Sequence, residues 1–145
     1  MAGSLHLEVV TSERPVYSGA VTFVSAPGAE GVLGILPNHA SLLATLQPGE
    51  LRFQPYDGNG EITMAVGGGF IEVHRNRVVV LAHSAERAGE IDVERALQAR
   101  ERALLRLRDR YPEVDLERAR QAMRRAEARL RVARKRGKAP LEGER

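Results

Sequence analysis

Apolar and polar positions alternate with a period of two through the first half of the chain, and with a helical period through the second. Leu5-His6-Leu7-Glu8-Val9-Val10 alternates as a strand with one buried face does, and Val21–Val24, Leu51–Phe53, Ile62–Val66 and Phe70–Val73 follow the same rule. Arg77-Val78-Val79-Val80-Leu81-Ala82 is a β-branched run that suits a central strand. Turn chemistry at Pro27-Gly28, Pro48-Gly49, Asp57-Gly58-Asn59-Gly60, Gly67-Gly68-Gly69 and Arg75-Asn76 separates these runs. The pattern predicts a β-sandwich, or flattened barrel, of about ten short strands. Two segments do not read as simple strands: Gly31–Ala40, and the triple glycine. The glycines lack phosphate-loop spacing and no helix follows them, so a bulge or tight corner before Phe70–His74 is the expectation.

From Ile91-Asp92-Val93-Glu94-Arg95-Ala96 onward the residues are Ala, Leu, Glu and above all Arg. Asp92 suits the N-cap of a helix running to about Asp109, and Arg110–Val114, with Pro112 inside it, breaks that helix. Asp115 is placed as the cap of a second helix, Leu116 to about Lys135, ended by Gly137 and Pro140. Leu116, Ala119, Met123, Ala126, Leu130 and Ala133 form a heptad seam, answered by Val93, Ala96, Leu97, Ala103, Leu104 and Leu107. The fold class is therefore α+β, an N-terminal β-sandwich followed by an antiparallel two-helix hairpin. The expected divisions are 1–85 for the sandwich, 86–136 for the hairpin and 137–145 for a disordered tail. An alanine-rich seam buries little area, so the hairpin is expected to be marginal and able to open.

Charge divides at the same place. Residues 1–84 hold four Lys/Arg against seven Asp/Glu, and residues 85–145 hold eighteen against twelve, so a mildly acidic domain carries a basic arm. Nearly all those cations are arginines, whose forked donors match carboxylate and phosphate. Asp92, Arg95 and Arg102 share one face of the first helix; Arg118, Arg125 and Arg129 share one face of the second. Two explanations compete: an anion held between the faces, or local neutralisation by Glu94, Glu101, Glu117 and Glu127. The basic hairpin also raises a nucleic-acid-binding module as the alternative function. Interleaved acids and the lack of aromatic residues for base stacking argue against it.

Other chemistry is not supported. The chain has no cysteine, and His6, His39, His74 and His83 lack ligand spacing, so no metal site is expected. No nucleophile with a base and an orienting carboxylate is visible, which speaks against an enzyme; His39 reads as a loop or packing residue. No apolar run approaches a membrane span and no signal-peptide pattern is present. The expected location is cytoplasmic.

Three blocks carry a family resemblance: Gly34-Ile35-Leu36-Pro37-Asn38-His39-Ala40, then Gly68-Gly69-Phe70-Ile71-Glu72-Val73, then Ile91-Asp92-Val93-Glu94-Arg95-Ala96. In this order, and from about Leu5 to Lys135, the chain resembles the epsilon subunit of F-type ATP synthases, in its bacterial, ATP-binding form. The resemblance implies a sandwich that binds the gamma subunit and the c-subunit ring, with the segment Glu30–His39 near that ring. It implies a non-catalytic rotor subunit, peripheral on the cytoplasmic side of the membrane, with no insertion and no nucleic-acid partner. The hairpin would extend to reach the alpha and beta subunits and inhibit ATP hydrolysis, and its compact form would bind one ATP as a regulatory ligand that is not hydrolysed. Carried over by motif, that site comprises Ile91, Asp92, Arg95 and Ala96, with Glu86 before it, Arg102 later on the first helix, and Arg125 and Arg129 on the second.

Overall fold

The computed structural model describes residues 3–58, 60–109 and 113–138, the last stretch without side chains at 113–114 and 136–138. Seven strands form one sheet: β1 (Leu5–Val10), β2 (Pro15–Gly28), β3 (Gly31–Ile35), β4 (Leu42–Pro55), β5 (Ile62–His74), β6 (Arg77–Ala82) and β7 (Ala85–Arg87). Their order is β1-β6-β5-β4-β2-β3; β1 also pairs with β2, and β7 lies against β5. The β1–β2 ladder closes the sheet into a flattened barrel, which removes two free edges. Among the described residues, only β1–β6 is parallel and the other pairings are antiparallel.

Alternation is what builds the core. Leu5, Leu7 and Val9 point inward from β1, and Val78, Val80 and Ala82 from β6, all buried with Val21, Val24, Leu51, Phe53, Ile71 and Val73. Phe53 and Tyr17 stack at 4.5 Å between ring centroids, tilted by 51°. Asn76 fastens one end: its Nδ2 donates to Ser4 O and its Oδ1 accepts from Asn38 N, both at 2.8 Å. Arg75 and Asn76 take positive φ, 49° and 63°, as the two-residue β5–β6 turn requires.

The strands are fewer and longer than the turn residues suggest. Pro48-Gly49 lies inside β4, Pro27-Gly28 ends β2 directly before its turn, and Gly31–Ile35, which does not read as a simple strand, is an edge strand. Ile62–Val66 and Phe70–Val73 are two halves of β5, bent at the triple glycine between them. Gly68 and Gly69 have φ of 103° and 141°, and a Cβ on Gly69 would lie 2.0 Å from Leu81 O. Here glycine permits a kink and a close strand approach without ending the ladder.

After β7 and a 3-10 turn at Ala88–Glu90 come α1 (Val93–Arg108) and α2 (Glu113–Lys138). Asp92 caps α1, its Oδ1 accepting from Arg95 N at 3.1 Å. Asp115, placed as a cap from sequence, lies inside α2, which begins with Glu113 and continues through Gly137. An acidic first turn suits the positive helix end, and one glycine in a solvated helix costs only ~1 kcal/mol. The break at Pro112 and the tail from residue 139 lie outside the described residues.

α1 packs along α2, burying Ala96 and Ala103 on one helix and Ala119 and Ala126 on the other. The larger seam residues behave differently: Val93, Leu97 and Leu104 stay 42–45% exposed, because close contact at the alanines leaves them beside the seam, outside it. The opposite face of α2 is buried too. Ala128 and Val132 meet Ala65 of β5 and Ile91, so α2 lies between the barrel and α1.

Candidate functional site

The segment that leaves the barrel sets up the site. β7 pairs with β5 through Met64–Arg87, Ala65–Glu86 and Val66–Ala85, which fixes Glu86 at the foot of the hairpin. Glu90 Oε1 then accepts from Arg87 N at 2.9 Å, turning the chain, and Ile91 is buried against Ala65, Ala128 and Val132. With Ile91 held there, Asp92 starts α1 at a fixed angle to the sheet.

A cavity of about 390 Å³ lies where β7, α1 and α2 converge, a size common for small-molecule sites. Glu86 enters it from the sheet, Asp92, Arg95, Ala96, Ala99 and Arg102 from α1, and Arg129 from α2. Six of the eight residues named from sequence therefore form one wall. Ile91 lies behind the wall as packing. Arg125 stands to one side, its Cδ beside Gly67, where an added Cβ would come within 3.5 Å of it and 2.4 Å of Ser84 Oγ. Ala99 was missed: an alanine carries no chemical signal, and only the 92-95-99-102 spacing along one helical face points to it.

The charges are unevenly satisfied. Arg129 Nε donates to Glu86 Oε1 at 2.5 Å, with both side chains about 30% exposed. Among the described residues, no carboxylate pairs with Arg95, Arg102, Arg118 or Arg125. Of the four helical glutamates that could neutralise them locally, only Glu117 makes a pair among the described residues, with Arg120 at 3.5 Å. The Gln121 amide and the nearby arginines draw the Glu117 carboxyl below its ordinary value. Local neutralisation therefore does not account for the arginines around the cavity. The three guanidinium groups, near the N-terminal half of α1, can hold a polyanion, and the two carboxylates beside them can accept hydrogen bonds from a polar group attached to it. Among the described residues no cluster of His, Asp and Glu could hold a metal ion.

Comparison with known proteins agrees in both halves. Residues 4–88 match the model of the ATP synthase delta/epsilon chain β-sandwich domain, and residues 90–134 that of its long α-helix domain. The ATP synthase epsilon chain of Carboxydothermus hydrogenoformans is 55% identical over 107 residues, 74% of this chain and 78% of that one. Those of Dehalococcoides mccartyi and Brevibacillus brevis are 51% and 50% identical, covering 74% and 72% of this chain and 75% and 79% of theirs. A chain in the cryo-EM structure of the Euglena gracilis mitochondrial ATP synthase (OSCP/F1/c-ring) superposes with a TM-score of 0.77. It covers 92% of this chain and 82% of that one at 23% identity, a likeness of fold. With both halves matched and half of the aligned residues identical in bacterial relatives, the chain belongs to the family of ATP synthase epsilon chains.

Proposed function

We propose that this chain is the non-catalytic central-stalk subunit of a proton-translocating F-type ATP synthase, coupling the c ring to gamma on the cytoplasmic side of the membrane. In this role its hairpin is a sensor: closed, it binds ATP; extended, it reaches the alpha and beta subunits and inhibits ATP hydrolysis. Family membership supports the rotor role. Among the described residues no helix is long and apolar enough to cross a membrane, consistent with a peripheral position. Exposed apolar side chains on β3–β6 (Val32, Leu43, Phe70 and Leu81) offer the barrel a docking face for its rotor partners.

The observation that carries the sensor role is that Arg129 of α2 shares one cavity with Arg95 and Arg102 of α1. Only the closed hairpin assembles those three cations. Arg95, Arg102 and Arg129 would hold the triphosphate, Asp92 and Glu86 would accept from the adenine amino group or ribose hydroxyls, and Ala96 and Ala99 would leave room for the base. Binding to the closed form alone stabilises it by RT ln(1 + [L]/Kd). Driving a mostly extended population to mostly closed needs a preference of roughly 10⁴-fold, about 5.5 kcal/mol.

Isothermal titration of the chain with ATP tests this. Binding at one site is expected, weakened at least tenfold in Arg129→Ala, where a charge-assisted contact worth about 1.5–3 kcal/mol is removed. Arg125→Ala should weaken binding less, through the seating of α2. No binding to the unaltered chain, or unchanged affinity in Arg129→Ala, overturns the proposed site.

A further inference from the structure

Two carboxylates of the sheet straddle α2. On one flank Glu86 grips Arg129 at the edge of the arginine-lined cavity. On the other flank Glu50 of β4 receives Arg131 Nε on Oε2 at 3.0 Å, while Lys135 Nζ stands 2.5 Å from Oε1, which is closed off from solvent. Between the flanks lies a small apolar cluster, Ala128 and Val132 of α2 on Ala65 and Ile91. Arg131 and Lys135 are four residues apart and so stack on one helix face, pointing away from that of Arg129. α1 rests on α2 rather than on the barrel, so whatever holds α2 to the sheet also holds α1 there.

We infer that Glu50, Arg131 and Lys135 form a charge clasp that seats the hairpin on the barrel and thereby positions Arg129 for the ligand cavity. Apolar burial is non-directional, so the small cluster of Ala65, Ile91, Ala128 and Val132 holds α2 near the sheet without fixing its register, which charge-assisted contacts of defined geometry do. The two grips differ in kind. Glu86 lines the cavity, so an anionic ligand competes with it for Arg129. Glu50 lies outside that cavity, and its grip persists whether or not the ligand is present. Glu50, Arg131 and Lys135 are thus positioning residues.

The groups around the clasp are consistent with a fixed negative charge at Glu50. Burial pushes its carboxyl up, but Lys135 and Arg131 together outweigh burial and hold it below its ordinary value. Arg52, its neighbour on β4, is itself taken by Glu61, just before β5, at 2.8 Å and does not replace the helix cations.

This inference rests on the proposed sensor role only for its consequence, so the test separates the two. The cysteine-free chain accepts spin labels at Asp57 of the barrel and Arg134 of α2, both exposed, and their distance distribution reports docking without any nucleotide. Glu50→Gln should raise the ratio of undocked to docked hairpin about tenfold, the scale of a lost charge-assisted contact. Lys135→Gln should do part of this alone and add nothing in a Glu50→Gln background. ATP affinity, titrated in the same variants, should fall in proportion to docking. An unchanged distance distribution in Glu50→Gln, or full additivity of the two substitutions, overturns the clasp. Altered docking with no ATP binding to any variant upholds the clasp and overturns the nucleotide site instead.

Discussion

The barrel and the hairpin solve the same problem, burying apolar surface, with opposite materials. The barrel closes long strands around Phe53, Leu7, Leu51, Ile71 and a ring of valines, all inaccessible to solvent. The hairpin buries alanines on α1 and α2, leaves Val93, Leu97 and Leu104 half exposed, and encloses the Arg100 Nε with no hydrogen-bond partner among the described residues. A core of large side chains gives one cooperative, well-specified unit. A seam of methyl groups around one unpaired guanidinium N–H gives contact that can be exchanged for another. The difference shows how one chain can be rigid where it is carried and adjustable where it senses.

This comparison can be broken at several points. Phe53→Ala should cost about 3–5 kcal/mol of barrel stability, seen as a loss of the main thermal transition, because it opens a cavity in a closed core and removes the Tyr17 contact. If the barrel tolerates it as readily as the hairpin tolerates change, the contrast fails. Ala126→Leu should overpack the seam by about 1–3 kcal/mol. Helix protection in hydrogen exchange and ATP affinity should both drop, while the barrel transition stays in place. Arg100→Met should act in the other direction, stabilising the closed hairpin by about 1 kcal/mol by replacing a buried unpaired donor with an apolar chain. Slower exchange along α1 is its signature.

Acid gives the smallest expected effect. Because the folded-state Glu50 carboxyl is held below its unfolded value, its contribution is complete above that unfolded value, near 4.5, and is lost as pH falls through the lowered one. The hairpin should therefore loosen first in acid, and Glu50→Gln should remove that step. The Arg131 and Lys135 side chains are about half exposed, so salt should weaken the clasp as well.

Much of the barrel is visible in the chain because period-two alternation in β1 and β6 leaves one arrangement with the apolar side inward. The bends are less visible. Pro48-Gly49 and the triple glycine look like turns, and only the continuity of the β4–β5 ladder shows that the strands run through them. In the hairpin, the cap at Asp92 and the alanine seam follow from local rules, whereas the early start of α2 at Glu113 does not. The site divides in the same way. Asp92, Arg95, Ala99 and Arg102 share a face by helical spacing alone, but Glu86 and Arg129 join them only because β7, α1 and α2 converge.

By itself the sequence determined the α+β division, the inward faces of the strands and the arginine-bearing face of each helix, since these depend on side-chain period and local capping. Only the tertiary structure decided that α2 is buried on two opposite faces. It also decided that Arg125 lies beside the cavity instead of on its wall, and that Glu50 holds the helix from outside. Each of these depends on contacts between residues far apart in the chain, and no local periodicity encodes which distant surfaces meet.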